Sequence, residues 1–194
     1  MIVRTAFLLF VLTCFPEMGL GQKSSPMNLE RLVREAGVIF GGKVISVKTG
    51  EQYTSMRLYA TEYTFLVTEQ LYGVRGDTMR IRQYGGEADG RKFYPQGVPR
   101  FEEGEEIIVF MYPPSRVGMT SSVGKEQGKF MVQNSDSGTG PWVVNSIDNR
   151  GLFHRLKHPE LLADQSWLEG PMMGRLPYDK FVETLRELVR TLKQ

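Results

Sequence analysis

The stretch Tyr63-Thr64-Phe65-Leu66-Val67-Thr68-Glu69-Gln70-Leu71-Tyr72-Gly73 constrains this chain most, because apolar and polar residues alternate along most of it and it runs into a glycine turn. Tyr63, Phe65, Val67 and Leu71 share one face and Thr64, Thr68 and Gln70 the other, the pattern of a strand with one side on a core. Extended back to Met56, the strand would span about 16 residues, roughly 50 Å, against the usual 5 or 6. A strand that long must bend, and the pattern predicts a bulge near residues 60–62.

Other strand patterns surround it. Val38 to Val47 is rich in branched residues, with Gly41 and Gly42 where a missing side chain allows a bend or the close passage of another backbone. Residues 48–55 are polar and predict a turn. After the tight connection at residues 72–77, a third strand puts Met79, Ile81 and Gln83 on one side and Thr78, Arg80 and Arg82 on the other. Glu106 to Tyr112 is a continuous apolar run whose two faces should both be covered, and residues 129–132 and 142–145 read as the arms of a hairpin. Between these, residues 84–101 interleave glycines and prolines with Phe93, Tyr94 and Phe101, which predicts an ordered excursion folding back on the sheet.

Helices are predicted only at the ends. Asn28 can cap a short helix through Ala36, with Gly37 placed as its C-terminal glycine. Phe181, Val182, Leu185, Leu188, Val189 and Leu192 mark one stripe of a helix over residues 178–193. Residues 148–177 have no clear period and predict irregular chain, with a turn of helix near residues 159–163. The expected fold is mainly β: a five- to six-stranded OB-like barrel over residues 22–147, carrying a short N-terminal helix and a C-terminal amphipathic helix.

The first 21 residues read as an export signal. Arg4 supplies the positive start, Ala6 to Phe15 the apolar stretch, and Gly19 and Gly21 the small residues at a cleavage site. Ten or so apolar residues ending at Pro16 are too few for the roughly 20 of a membrane span, so a secreted or periplasmic protein with no span after processing is expected. The sole cysteine, Cys14, lies inside this signal, so stability must come from packing. Removal takes one base, Arg4, and one acid, Glu17, and leaves the net charge at +2. A balance this even, together with export, argues against nucleic acid as a partner.

Four segments together carry a resemblance: Gly37-Val38-Ile39-Phe40-Gly41-Gly42-Lys43-Val44; the strand from Tyr63 to Gly73; Gly85-Gly86; and Pro99-Arg100-Phe101-Glu102-Glu103-Gly104-Glu105-Glu106-Ile107-Ile108-Val109-Phe110. The combination resembles a group of exported bacterial proteins of unknown role, and more distantly it is similar to the netrin-like modules that include tissue inhibitors of metalloproteinases. It covers about residues 36 to 132. The resemblance implies an OB-like barrel, a fold commonly used to bind something. The inhibitors act through a disulfide-held N-terminal cysteine placed at the enzyme's zinc; with no cysteine after the signal, that role carries over to no residue here.

Motifs that carry chemistry are mostly incomplete. His154 and His158 have helical zinc-ligand spacing, but Arg155 stands where a metalloprotease glutamate would, Pro159 ends any helix, and there is no third histidine. Asn134 to Gly140 begins like a calcium loop, then offers Thr139 where glycine is needed and Asn145 where glutamate is needed; a hairpin turn explains the same residues. Glu102, Glu103, Glu105 and Glu106 cluster beside Arg100, and a hydrolase would have to rely on Glu103 or Glu105, for which no partner can be named. No catalytic residue, metal ligand or cofactor is assigned.

Arg80, Arg82, Tyr84, Phe93 and Tyr94 form the one candidate ligand-binding group, combining cations with aromatic faces as an OB-type surface does. The expected function is that of an exported, non-enzymatic binding or interaction protein whose partner is another exported protein, in the manner of a protease-binding or inhibitor-like module. A carbohydrate or small-ligand binding module is the alternative. An excursion that plugs the interior favours the first, and one that leaves an open aromatic groove favours the second.

Overall fold

A computed structural model describes residues 25–53, 57–134, 140–169 and 174–194. The predicted export signal and residues 135–139 of the calcium-like turn lie outside the described residues. The elements run α1 (Leu29–Glu35), β1 (Val38–Tyr53), β2 (Arg57–Tyr72), β3 (Thr78–Tyr84), β4 (Gly86–Ala88), β5 (Arg91–Phe93), β6 (Glu106–Met111), β7 (Lys129–Gln133), β8 (Trp142–Asn145), β9 (Leu176–Pro177) and α2 (Tyr178–Leu192). Seven strands form one antiparallel sheet in the order β3-β2-β1-β6-β7-β8-β9, and β4 and β5 form a separate hairpin.

β1 and β2 are the spine. Each is 16 residues long, and they pair along their whole length. The predicted turn at residues 48–55 is therefore largely strand. Polar composition misleads there because backbone pairing with β2, rather than burial, makes those residues extended; beyond Val47 no described side chain of β1 joins a buried cluster. The bend is also elsewhere than predicted. Residues 60–62 pair in regular register, whereas the register shifts fall between Ile39 and Phe40, Gly41 and Gly42, and Val44 and Ser46. At the second of these, a Cβ added to Gly42 would stand 2.6 Å from the Leu66 carbonyl oxygen, so the glycine permits the close backbone passage that its sequence position suggested.

Alternation along the strands builds two clusters, one on each face. Ile39, Ile108, Phe110, Phe130, Val143 and Leu176 face α1 and α2, where they meet Leu32, Val33, Phe181 and Leu185. Phe40, Val44, Tyr63, Phe65, Ile81, Ile107, Val109 and Met111 make the second cluster, with Phe101 among them. β6 feeds both, as its unbroken apolar run predicted. α2 buries Phe181, Val182, Leu185 and Leu188, each contributing about 1.5–3 kcal/mol of gross transfer energy.

The sheet is strongly curled. In a flat sheet β3 and β6 would lie three strand spacings apart, roughly 14 Å. Here one segment bridges both: the Thr120 N–H donates to the Arg82 carbonyl of β3 (2.8 Å), while Ser122 pairs with Met111 of β6. The ladder itself ends at β3 and β9 and forms no closed ring, and its seven strands exceed the five or six expected.

The helix ends follow local chemistry. The Asn28 side chain accepts the Arg31 N–H at 3.0 Å, as expected of an N-cap. Gly37, in contrast, has no left-handed backbone; it is small because a Cβ there would stand 2.8 Å from Pro113. The irregular stretch contains the expected 3-10 turn at Pro159–Leu161 and an unforeseen second one at Gln165–Leu168, where Trp167 stacks on Phe153 at 5.0 Å. No described helix is long and apolar enough to cross a membrane.

Candidate functional site

Register decides which side chains share the outward face of β1, β2 and β3. Lys43, Leu66 and Thr78 form one row, Ser46, Thr64 and Arg80 the next, and Lys48, Glu62 and Arg82 a third. The opposite face of the same strands carries the buried Tyr63, Phe65 and Ile81. Ile45, the extra residue at the shift between Val44 and Ser46, is itself exposed. Four of the five exposed large apolar side chains among the described residues, Ile45, Leu66, Tyr84 and Phe93, belong to this face or to its β5 border, and each is 44% to 48% accessible.

The five residues singled out in the sequence divide into two groups. Arg80 and Arg82 stand on the open face, with Arg82 Nε 2.9 Å from Glu62 Oε2 directly opposite it on β2. Tyr84, Phe93 and Tyr94 gather at the end of β3: the Tyr84 and Phe93 rings are 5.3 Å apart, and the Tyr94 hydroxyl donates to Glu87 Oε1 at 3.2 Å. Arg100 lies over the Tyr94 ring at 4.8 Å, and Lys92 pairs with Glu87 at 2.9 Å.

The excursion of residues 84–101 both plugs and opens. Its last residue, Phe101, is buried edge-on against Tyr63 and Phe65, with ring centroids 4.9 and 5.3 Å away, and fills the inside of the curl. Its middle leaves a cleft of about 390 Å³ between Tyr84, Pro95 and Val98 on one side and Pro113, Met119 and Thr120 on the other. Behind that cleft is a small chamber against Thr61, Tyr63, Gln83, Tyr94 and Arg100. Burial raises the hydroxyl pKa of Tyr63 and of Tyr94, so both remain neutral donors at physiological pH.

Gln83, Ile45 and Leu66 were not singled out in the sequence. Gln83 carried a signal, a polar side chain on the apolar side of β3 with Met79 and Ile81. Leu66 carried one too, an apolar residue on the polar side of β2. Ile45 carried none, since its direction depends on a register shift.

The remaining motifs are occupied structurally. Glu105 Oε2 accepts from Lys129 Nζ at 2.7 Å and from the Glu102 N–H at 3.1 Å, and Glu103 Oε1 accepts the Val47 N–H at 3.0 Å. His154 is exposed, and His158 Nδ1 lies 3.1 Å from Glu160. Among the described residues no group of three or more His, Cys, Asp or Glu is placed to hold a metal ion. No protein-family model, curated protein or solved structure matches the chain.

Proposed function

We propose that the chain is an exported, non-enzymatic binding protein that uses the outward face of β1, β2 and β3 to recognise another exported protein, with a protease as the partner class implied by the netrin-like resemblance. The observation that carries this is that Ile45 and Leu66 at one end of the face, and the paired Tyr84 and Phe93 at the other, stay exposed on either side of Ser46, Thr64, Arg80, Lys48, Glu62 and Arg82. Single exposed apolar residues are ordinary, but four of the five among the described residues fall on one charged face or its border, which supports reading that face as an interaction surface. The scaffold in this reading is an OB-like barrel, supported by the Thr120–Arg82 hydrogen bond that links β3 to the β6 side of the curl. Affinity capture from the exported fraction of the parent cells tests it. Wild-type protein should recover one stoichiometric partner, and an Ile45→Asp, Leu66→Asp double variant should recover none while keeping its circular dichroism spectrum. Equal recovery by the variant sinks the reading.

A second reading, a carbohydrate or small-ligand module, is favoured by one observation: the exposed Tyr84–Phe93 pair stands at the mouth of the 390 Å³ cleft, within the usual volume range of ligand sites. Binding on a glycan array that is lost on Tyr94→Ala supports it, and binding indifferent to that change contradicts it.

A further inference from the structure

Gln83 is 2% exposed, and its side-chain amide nitrogen has no hydrogen-bond partner among the described residues. An amide nitrogen carries two N–H donors, and native proteins rarely bury such a group unpaired, because the desolvation is uncompensated. The chamber it faces measures about 10 Å³, room for one oxygen-sized occupant. Of its other polar groups, the Thr61 hydroxyl donates to the Gly85 carbonyl at 2.8 Å, the Tyr94 hydroxyl donates to Glu87, the Tyr63 hydroxyl lies with Thr61 and the Phe101 backbone, and Arg100 forms no ion pair among the described residues. What the chamber offers is a free neutral donor beside a cation. Hydroxyl oxygens of Thr61, Tyr63 and Tyr94 also line it, but among the described residues none lies within hydrogen-bond reach of that donor.

Tyr84, Pro95 and Val98 line both the chamber and the larger cleft. The cleft is mostly apolar, with Pro113 and Met119 on its far side. Tyr84, Pro95 and Val98 are the common wall, so a molecule in the cleft that reached Gln83 past them would carry an oxygen acceptor, best negatively charged, at one end of an apolar body.

We propose that this is a binding site for a small organic carboxylate: one carboxylate oxygen accepts from Gln83 Nε2 beside the Arg100 guanidinium, and the apolar body lies in the cleft against Tyr84, Pro95, Val98 and Met119. The inference rests on the second reading above, that the Tyr84 end of the sheet holds a small ligand, and it names the ligand class. An anionic acceptor suits the site better than a sugar hydroxyl, because a hydrogen bond to a charged group is the stronger and Arg100 adds attraction.

The test titrates the purified protein with 3-phenylpropionate, its neutral amide 3-phenylpropanamide, and cellobiose, followed by calorimetry and by amide NMR shifts around Tyr84. The acid should bind at least about tenfold more tightly than the amide. Gln83→Met, which removes the donor and keeps an unbranched apolar shape, should weaken the acid by a similar factor and leave the melting temperature unchanged or higher. Arg100→Gln, at an exposed position, should weaken it as well and covers the case in which the Gln83 variant does not fold. Equal affinity for acid and amide, or undiminished binding by either variant, overturns the proposal. Shifts near Tyr84 with cellobiose but not with the acid overturn it and leave the small-ligand reading standing; no shifts with any of the three sink both.

Discussion

Gly42 is the residue at which one added methyl group meets the least room in the long ladder, with the Leu66 carbonyl oxygen 2.6 Å from where the Cβ would stand. Gly50, eight residues along the same strand, would meet nothing within 4 Å and has no left-handed backbone. Gly42→Ala should therefore cost about 1–3 kcal/mol, since backbone cannot swing aside as a side chain can, while Gly50→Ala should leave stability unchanged or raise it by about 0.5 kcal/mol. Urea midpoints of the two variants check the contrast, and equal losses would contradict it. Both glycines stand plainly in the sequence, but only the register distinguishes them. The same holds at the site. Gln83 was visible as a polar residue on an apolar face, whereas its unpaired nitrogen depends on what residues 94–100 place opposite it, a contact between segments that no local pattern encodes.

At the scale of elements, α2 is held by burial rather than by its ion pairs. Phe181 is fully buried, with its ring 4.9 Å from Phe130, and Phe181→Ala should cost about 3–5 kcal/mol. Arg186 reaches Glu69 at 2.6 Å but is more than half exposed, so Arg186→Ala should cost no more than about 1 kcal/mol. Denaturant unfolding of the two proteins measures the difference. The 3-10 turn at Gln165–Leu168 adds a pH dependence. The Ser166 hydroxyl and then its N–H donate to Asp164 Oδ1 at 2.6 and 2.9 Å and hold that carboxyl below the ordinary aspartate range. A depressed carboxyl pKa contributes stability that is complete above the ordinary value and is lost as pH falls through the folded one. In a Trp142→Phe background, Trp167 fluorescence should change on acidification with a midpoint below the ordinary aspartate value, and Asp164→Asn should abolish that step; a midpoint at or above it contradicts the assignment. α2 was legible from its 3.6-residue stripe, and β6 from its unbroken apolar run. The second 3-10 turn was not, because its Trp167–Phe153 stack joins residues 14 apart in a stretch with no period.

At the scale of the whole molecule, the mainly β body, the excursion at residues 84–101 and the terminal helices could be read from alternation, glycine placement and one amphipathic stripe. The curl could not, since it depends on the Thr120–Arg82 contact between two loops and strands far apart in the chain. That curl turns one face of β1, β2 and β3 inward onto Phe101 and leaves the other, with Leu66 at its centre, to solvent. The central claim is that this outward face is where a partner protein docks. A photo-crosslinking residue at position 66 tests it most directly, with a second at the exposed Glu183 of α2 as control, each exposed to the exported fraction of the parent cells. The expected result is one saturable adduct from position 66, competed by unlabelled protein and absent from position 183. Adducts of equal yield from both positions, or none from position 66, would contradict it.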